Sequence, residues 1–158
     1  MNFKGVPLYK AQSSIPANAI FDDPAKLLEA CLEYFKWNDE NPLAQQKVGF
    51  SQGEAVHTTI YHPRAMTSSA LSMFLGITHQ TLIEWKKTRS DLKPVIDWVE
   101  SYIWNQKYCN AAAGLLSPNI IARELGLADK KIHTVSAPAM IIKPPGGEPE
   151  EAPPIHGE

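Results

Sequence analysis

The stretch from Arg64 to Arg89, RAMTSSALSMFLGITHQTLIEWKKTR, constrains this chain more than any other. Thr67 and Ser68 offer side-chain oxygens at a helix start, and Leu71, Phe74 and Leu75 follow at helical spacing. Gly76 supplies the positive φ that ends such a helix, and Thr78 can cap a second one. That second helix turns Leu82, Ile83 and Trp85 inward, which leaves Thr78, His79, Gln80, Glu84 and Lys87 facing outward. Apolar, small, apolar, glycine, apolar, then two inward residues is the order of a helix-turn-helix. A two-helix corner bent at glycine is also an ordinary core motif, so the pattern by itself leaves both readings open.

A chain of 158 residues, 44% hydrophobic and 20% charged, has ordinary globular usage and can bury a core. Its formal charge of −2 hides an asymmetry. Pro144 to Glu158 carries Glu148, Glu150, Glu151 and Glu158 and no Lys or Arg, which leaves the body slightly positive. Such a body predicts weak, salt-sensitive nucleic-acid affinity per chain rather than that of a strongly basic binder. Cys31 and Cys109 are isolated, each on a helix-like apolar face, and read as buried reduced thiols rather than a disulfide or metal pair. With no long apolar run and no charged-then-apolar leader after Met1, the expected compartment is the cytoplasm.

The organisation that follows is an N-terminal arm over 1–21, a helical core over 22–131, one strand over 132–143 and a tail over 144–158. The arm has no period and carries Gly5, Pro7 and Pro16; it is expected to lie over the surface or over a neighbour. Asp22-Asp23-Pro24 marks a sharp helix start, and Leu27, Leu28, Cys31, Leu32 and Phe35 form one apolar stripe before Asn41-Pro42. Residues 46–62 change period: Lys47–Phe50 and Ala55–Tyr61 flank Ser51-Gln52-Gly53-Glu54, a β-hairpin signal. Because an isolated hairpin is marginal in water, it must lie against the helices or against another chain. His57 and His62 read as polar residues on an exposed strand face.

After the two-helix stretch, which spans 67–87, Ser90–Pro94 begins a long helix with Leu92, Val95, Ile96, Val99 and Ile103 on its inner face. Trp98, Tyr102, Trp104 and Tyr108 widen its apolar coverage beyond what one facing helix needs. Deep packing inside the chain is one explanation. A subunit interface through Trp98 and Tyr102 is the other, since Trp and Tyr are favoured at interface cores. Ala111–Gly114 would permit close backbone approach, and Ser117-Pro118 starts another helix, Asn119 to Leu125, ended by Gly126. Ile132 to Lys143 reads as a strand with Val135, Ala137, Ala139 and Ile141 on one face, although Pro138 weakens that pattern. A last strand without a sequential partner can lose its edges by joining the same strand of other copies. The Pro-, Gly- and Glu-rich tail reads as flexible or as a docking segment.

No G-x-x-x-x-G-K-S/T loop, G-x-S-x-G elbow, H-E-x-x-H or Cys-x-x-Cys pair is present. Asp22, Asp23, Glu29, Glu33, Asp39 and Glu40 suit helix capping and solvation better than a two-metal nuclease site. His79 has no second ligand at helical spacing and reads as an exposed helix residue. No catalytic residue, metal site or cofactor is expected.

Three blocks, DDPAKLLEACLEYFKWNDENPL (Asp22–Leu43), RAMTSSALSMFLGITHQTLIEWKKTRSDL (Arg64–Leu92) and CNAAAGLLSPNIIARELGL (Cys109–Leu127), resemble the small terminase subunits of tailed double-stranded DNA phages that package by the headful. Their order and spacing also match, with a hairpin between the first two. The resemblance implies a mainly α fold with minor β: a helical ring body, commonly nonameric, whose C-terminal strands assemble an intersubunit β-barrel. It implies a protein without enzymatic activity that recognises the packaging start site on concatemeric viral DNA. Its partners would be that DNA and the large terminase subunit, whose ATPase and nuclease it modulates. Ile132 to Lys143 sits where the barrel strand should be, and barrel closure would abolish every edge.

Some members of that family bind DNA through a basic C-terminal tail, whereas the segment here is acidic. The expected DNA contacts therefore fall on Lys86, Lys87, Arg89 and Lys93 around the second helix, and on Lys130 and Lys131 before the strand. His79 and Gln80 would approach base edges. A dimeric phage transcription regulator with the same helix-turn-helix is the alternative, separable by mass in solution.

Overall fold

The computed structural model describes residues 3–51 and 54–127, all within one compact unit, Met1–Ala128. Lys130 and Lys131, and the predicted strand with Val135, Ala137, Ala139 and Ile141, lie outside the described residues, as does the acidic tail. The described chain is mainly helical with one antiparallel β-hairpin. After a 3-10 turn, Leu8–Lys10, come α1 (Ala17–Asp22) and α2 (Pro24–Glu40), then β1 (Leu43–Ser51) and β2 (Glu54–His62). Four helices follow: α3 (Ser68–Phe74), α4 (His79–Thr88), α5 (Lys93–Ala112) and α6 (Pro118–Glu124).

The core forms where α2, α3, α4 and α5 meet. Tyr34 and Trp37 of α2 enclose Phe74 of α3, with ring centroids 5.7 and 6.3 Å away. Leu82 and Trp85 of α4 and Leu92, Ile96, Val99 and Ile103 of the α5 segment complete it. Each large side chain removed from water there contributes roughly 1.5–3 kcal/mol, so these residues carry most of the stability. Asp23 caps α2 as its sequence predicts, its Oδ1 accepting from Ala25 N–H at 2.8 Å with Pro24 in the first turn. Leu27, Cys31 and Phe35 of the predicted α2 stripe are buried, and the buried arc widens on one side through Ala30, Tyr34, Trp37 and Asn38. Leu32, expected inside, is 48% exposed and lines a shallow apolar groove with Leu28, Pro94, Val95 and Trp98.

The N-terminal segment is built into this body rather than draped loosely on it. Phe3, Ala11 and Ile20 are buried, and Ala17–Asp22 is helical. Asn41 ties the segment down: its Nδ2 donates to Phe3 O at 2.8 Å, and its Oδ1 accepts from Gly5 N–H at 2.8 Å. Trp37 Nε1–H donates to Val6 O at 2.8 Å, and Glu33 accepts from the backbone N–H of Ser14 at 2.8 Å. An aperiodic sequence gives no such signal, because these partners lie on a different helix.

The hairpin is longer than the sequence pattern suggests. Its ladder runs from Leu43↔His62 to Ser51↔Glu54, and Gln45 and Gln46 lengthen it without contributing apolar alternation. His62 Nε2 lies 2.9 Å from Gln45 Oε1 on one face. Apart from Ile60 and His62, which are partly covered, the described hairpin side chains are exposed, Phe50 at 80%. Among the described residues, little beyond that partial cover at Ile60 and His62 lies on its two faces.

Two expectations need correction. Cys31 is buried, with its thiol pushed up to about 12 by burial, but Cys109 is exposed because it lies on the side of α5 away from the buried Ile103 and Lys107. Trp98, Tyr102, Trp104 and Tyr108 are 39–50% exposed, so deep packing within the chain does not account for them. Trp98 and Tyr102 instead stack on each other and border Phe35, with Tyr102 4.3 Å from its ring.

Candidate nucleic-acid interface

The α3–α4 corner is built by short-range chemistry. Thr67 Oγ1 accepts from Ala70 N–H at 3.0 Å, and Ser72 Oγ–H donates back to Ser68 O at 2.9 Å. At the far end Gly76 adopts φ +71, and its N–H donates to Met73 O at 3.1 Å while Ile77 N–H donates to Ser72 O at 3.0 Å. This is a Schellman stop, in which the left-handed residue lets two otherwise unpaired carbonyls be satisfied. Thr78 Oγ1 then caps α4 by accepting from Thr81 N–H at 3.0 Å. Leu82 and Trp85 fold back onto the core, and Trp85 meets Phe21 of α1 at 5.5 Å.

With those two residues buried, the opposite side of α4 is open. Thr78, His79, Gln80, Glu84 and Lys87 are all exposed, whereas Ile83 is only partly covered. His79 and Gln80 occupy the first turn of the helix, where side chains project past its N-terminus. The face is therefore accessible but not strongly basic: Lys87 stands beside Glu84 on it.

The other predicted cations are engaged. Lys86 Nζ lies 2.9 Å from Asp97 Oδ1 and 2.5 Å from Glu100 Oε2 on α5, bridging the two helices. Arg89, in the α4–α5 link, makes a forked pair with Asp91, Nε at 2.9 Å and Nη2 at 2.7 Å, and its guanidinium also lies 4.1 Å over the Phe21 ring. Lys93 Nζ lies 2.6 Å from Asp97 Oδ2. The hydrogen bonds from Arg89 hold the Asp91 carboxyl down at about 2. Hydrogen bonds from Lys93 and then Lys86 lower Asp97, and those to Glu100 and then Asp97 raise Lys86. Among Lys86, Lys87, Arg89 and Lys93, only Lys87 has no ion pair among the described residues.

A model of the family described as DNA-packaging protein gp3 matches residues 17–133. The chain belongs to this DNA-packaging family. It is also similar to the small terminase subunit of Salmonella phage P22, with 41% identity over 129 residues, 80% of this chain and 78% of that protein. The span matched by this packaging family takes in the hairpin and α1 to α6, that is, every described element except the 3-10 turn at Leu8–Lys10.

Sequence reasoning placed His79, Gln80, Lys86, Lys87, Arg89 and Lys93 around one helix; the structure gathers Lys86, Arg89 and Lys93 at the α4–α5 corner of this packaging protein, with Lys87 on the open face and His79 and Gln80 at the other end of α4. It missed the carboxylates that share the corner. Asp91 reads as a helix start, yet it bonds Arg89, and α5 begins at Lys93 without a side-chain cap. It also missed Lys107, buried on α5 and paired with Glu124 of α6, a link no local pattern announces. Among the described residues no cluster of His, Cys, Asp or Glu could hold a metal ion, and no helix is long and apolar enough to cross a membrane.

Proposed function

We propose that this chain is a non-enzymatic small terminase subunit, a ring-forming adaptor that recognises the packaging start site on concatemeric viral DNA. In this reading it acts in the host cytoplasm, delivers duplex to the large terminase subunit and modulates that subunit's ATPase and nuclease. The observation that carries the reading is the 41% identity to the P22 small terminase subunit over 80% of the chain.

Geometry supports it at three places. α3 and α4 are joined by a short turn at Gly76, the order a helix-turn-helix uses, and the open face of α4 would offer His79, Gln80 and Lys87 to a groove and its phosphates. The exposed Trp98 and Tyr102, beside the groove at Leu32, offer an aromatic surface of the kind subunit interfaces bury. The uncovered hairpin is marginal by itself and gains stability against a neighbouring copy. Closure of the strands over Ile132–Lys143, with Val135, Ala137, Ala139 and Ile141 on one face, would complete a barrel at the ring centre. Lys130 and Lys131, which precede that strand in sequence, would add phosphate contacts. Repetition around a ring turns a weak contact per chain into useful avidity.

Native mass spectrometry of the purified protein is the first test: a closed ring, nonameric or close to it, is expected, and a dimer would move the reading to a helix-turn-helix regulator. The protein alone should neither hydrolyse ATP nor cut DNA in Mg²⁺, and should change the ATPase rate of its cognate large subunit. Cleavage of DNA by the purified small subunit would overturn the reading.

A further inference from the structure

The α4–α5 corner places carboxylates on the very cations that a duplex would need. Lys86, Arg89 and Lys93 each touch an acid from the link or from α5, and Asp97 is shared between two of them, at 2.9 Å from Lys86 and 2.6 Å from Lys93. Glu100 adds a second acid to Lys86 at 2.5 Å, and Asp22 adds its field to Arg89. These acids are not there to hold the helices together by strong pairing. The side chains are 24–54% exposed, and pairs this wet are worth little in stability. Asp97 and Glu100 also lie one turn apart, so both carboxylates face α4 together.

We propose that Asp97 and Glu100, with Asp91, are specificity-determining residues that occupy the phosphate-binding positions of Lys86, Lys93 and Arg89 and suppress sequence-independent duplex binding. The proposal rests on the reading of this face as the one that meets DNA. A phosphate approaching the corner meets three carboxylates among four cations, so the corner presents almost no net charge to a passing backbone. Lys87 alone is left to make a simple phosphate contact. Because each pair is exposed, a correctly seated duplex can displace the carboxylates at little cost, whereas an arbitrary backbone contact cannot recover even that. The device lowers background binding along a long DNA without closing the site, which suits a protein that must find one start site among many competing sequences.

The test uses the full-length assembled protein and a mixed-sequence duplex, with affinity measured by fluorescence anisotropy over a series of salt concentrations. Asp97→Asn with Glu100→Gln keeps size and removes both charges. The expected result is about tenfold tighter binding at low salt and a salt slope steeper by about two, since each freed cation can neutralise one phosphate. Glu100→Gln alone, the milder variant, should move affinity in the same direction by about threefold. Unchanged thermal midpoint and native mass show that the body is intact. If the double variant binds as the parent does while Lys86→Ala weakens the parent's binding, the carboxylates do not gate the site and the inference fails, though the face still binds DNA. If neither acid nor lysine substitutions move affinity or slope, duplex does not meet this face and the underlying reading fails with it.

Discussion

Gly76→Ala isolates the backbone chemistry that sets the angle between α3 and α4. Gly76 sits at φ +71, and a Cβ built there meets no atom within 4 Å, so the substitution carries no clash. Its cost is therefore conformational: an L-residue held in the left-handed region loses roughly 1–2 kcal/mol. The unfolded chain loses some freedom as well, which offsets part of that by about 0.4–1 kcal/mol. A net loss near ~1 kcal/mol follows, which for a chain of this size lowers the thermal midpoint by about 2–4 °C. Gly76→Asn, which tolerates the left-handed region better, should lose less. Urea unfolding at one fixed protein concentration reads the difference, because association couples to stability. A neutral or stabilising Gly76→Ala would mean that this residue is not left-handed in solution. A loss above ~3 kcal/mol would mean that the space beside it is filled, and either result would refute the reasoning.

Leu82→Ala removes a side chain 2% exposed beneath α4 and should cost about 2–5 kcal/mol, read by urea unfolding; a loss below ~1 kcal/mol would place α4 off the core. Acid should destabilise the protein in a defined window. The Asp91 carboxyl is held at about 2 against an ordinary 3.8, and burial, which raises Glu33, is outweighed by donation from Ser14 and Ser13, so it too lies below its ordinary 4.5. Both contribute stability above the unfolded values that disappears as pH falls through the folded ones. The thermal midpoint should therefore be flat near neutrality and decline from about pH 4.5 downward, less steeply in Glu33→Gln. Replacing Trp98 and Tyr102 together by Ala should shift native mass toward smaller, still folded species, and an unchanged mass would take those rings out of the interface. Lys87→Ala should weaken duplex binding across sequences and reduce its salt slope by about one; an unchanged slope would remove Lys87 from phosphate contact.

Much of the fold was legible because its signals are local. The caps at Asp23, Thr67 and Thr78 and the stops at Gly76 and Gly126 act within four residues of themselves, so reading the residues amounts to reading the bonds they make. The inner face of α5 was legible for the same reason: Leu92, Ile96, Val99 and Ile103 recur at helical spacing and are buried. The candidate site was legible only as a location. His79, Gln80 and Lys87 followed from the cap and the buried Leu82 and Trp85, but the partners of Lys86 and Arg89 did not. Nor did the exposure of Cys109 or Leu32, because apolar character says that a side chain can be buried and not that another element arrives to bury it.

By itself, then, the order of residues determined where α2, α3, α4 and α6 begin, where the chain pairs with itself as a hairpin, and which side of α4 must turn inward. Those outcomes depend on hydrogen bonds and periodicities that close within a few residues. Only the tertiary structure decided that α5 brings Asp97 and Glu100 against Lys86, that Asn41 fastens the N-terminal segment, and that the rings of Trp98 and Tyr102 stay in view. Each of these depends on which helix lies beside which, and electrostatic partners on different helices acquire their meaning from that adjacency alone.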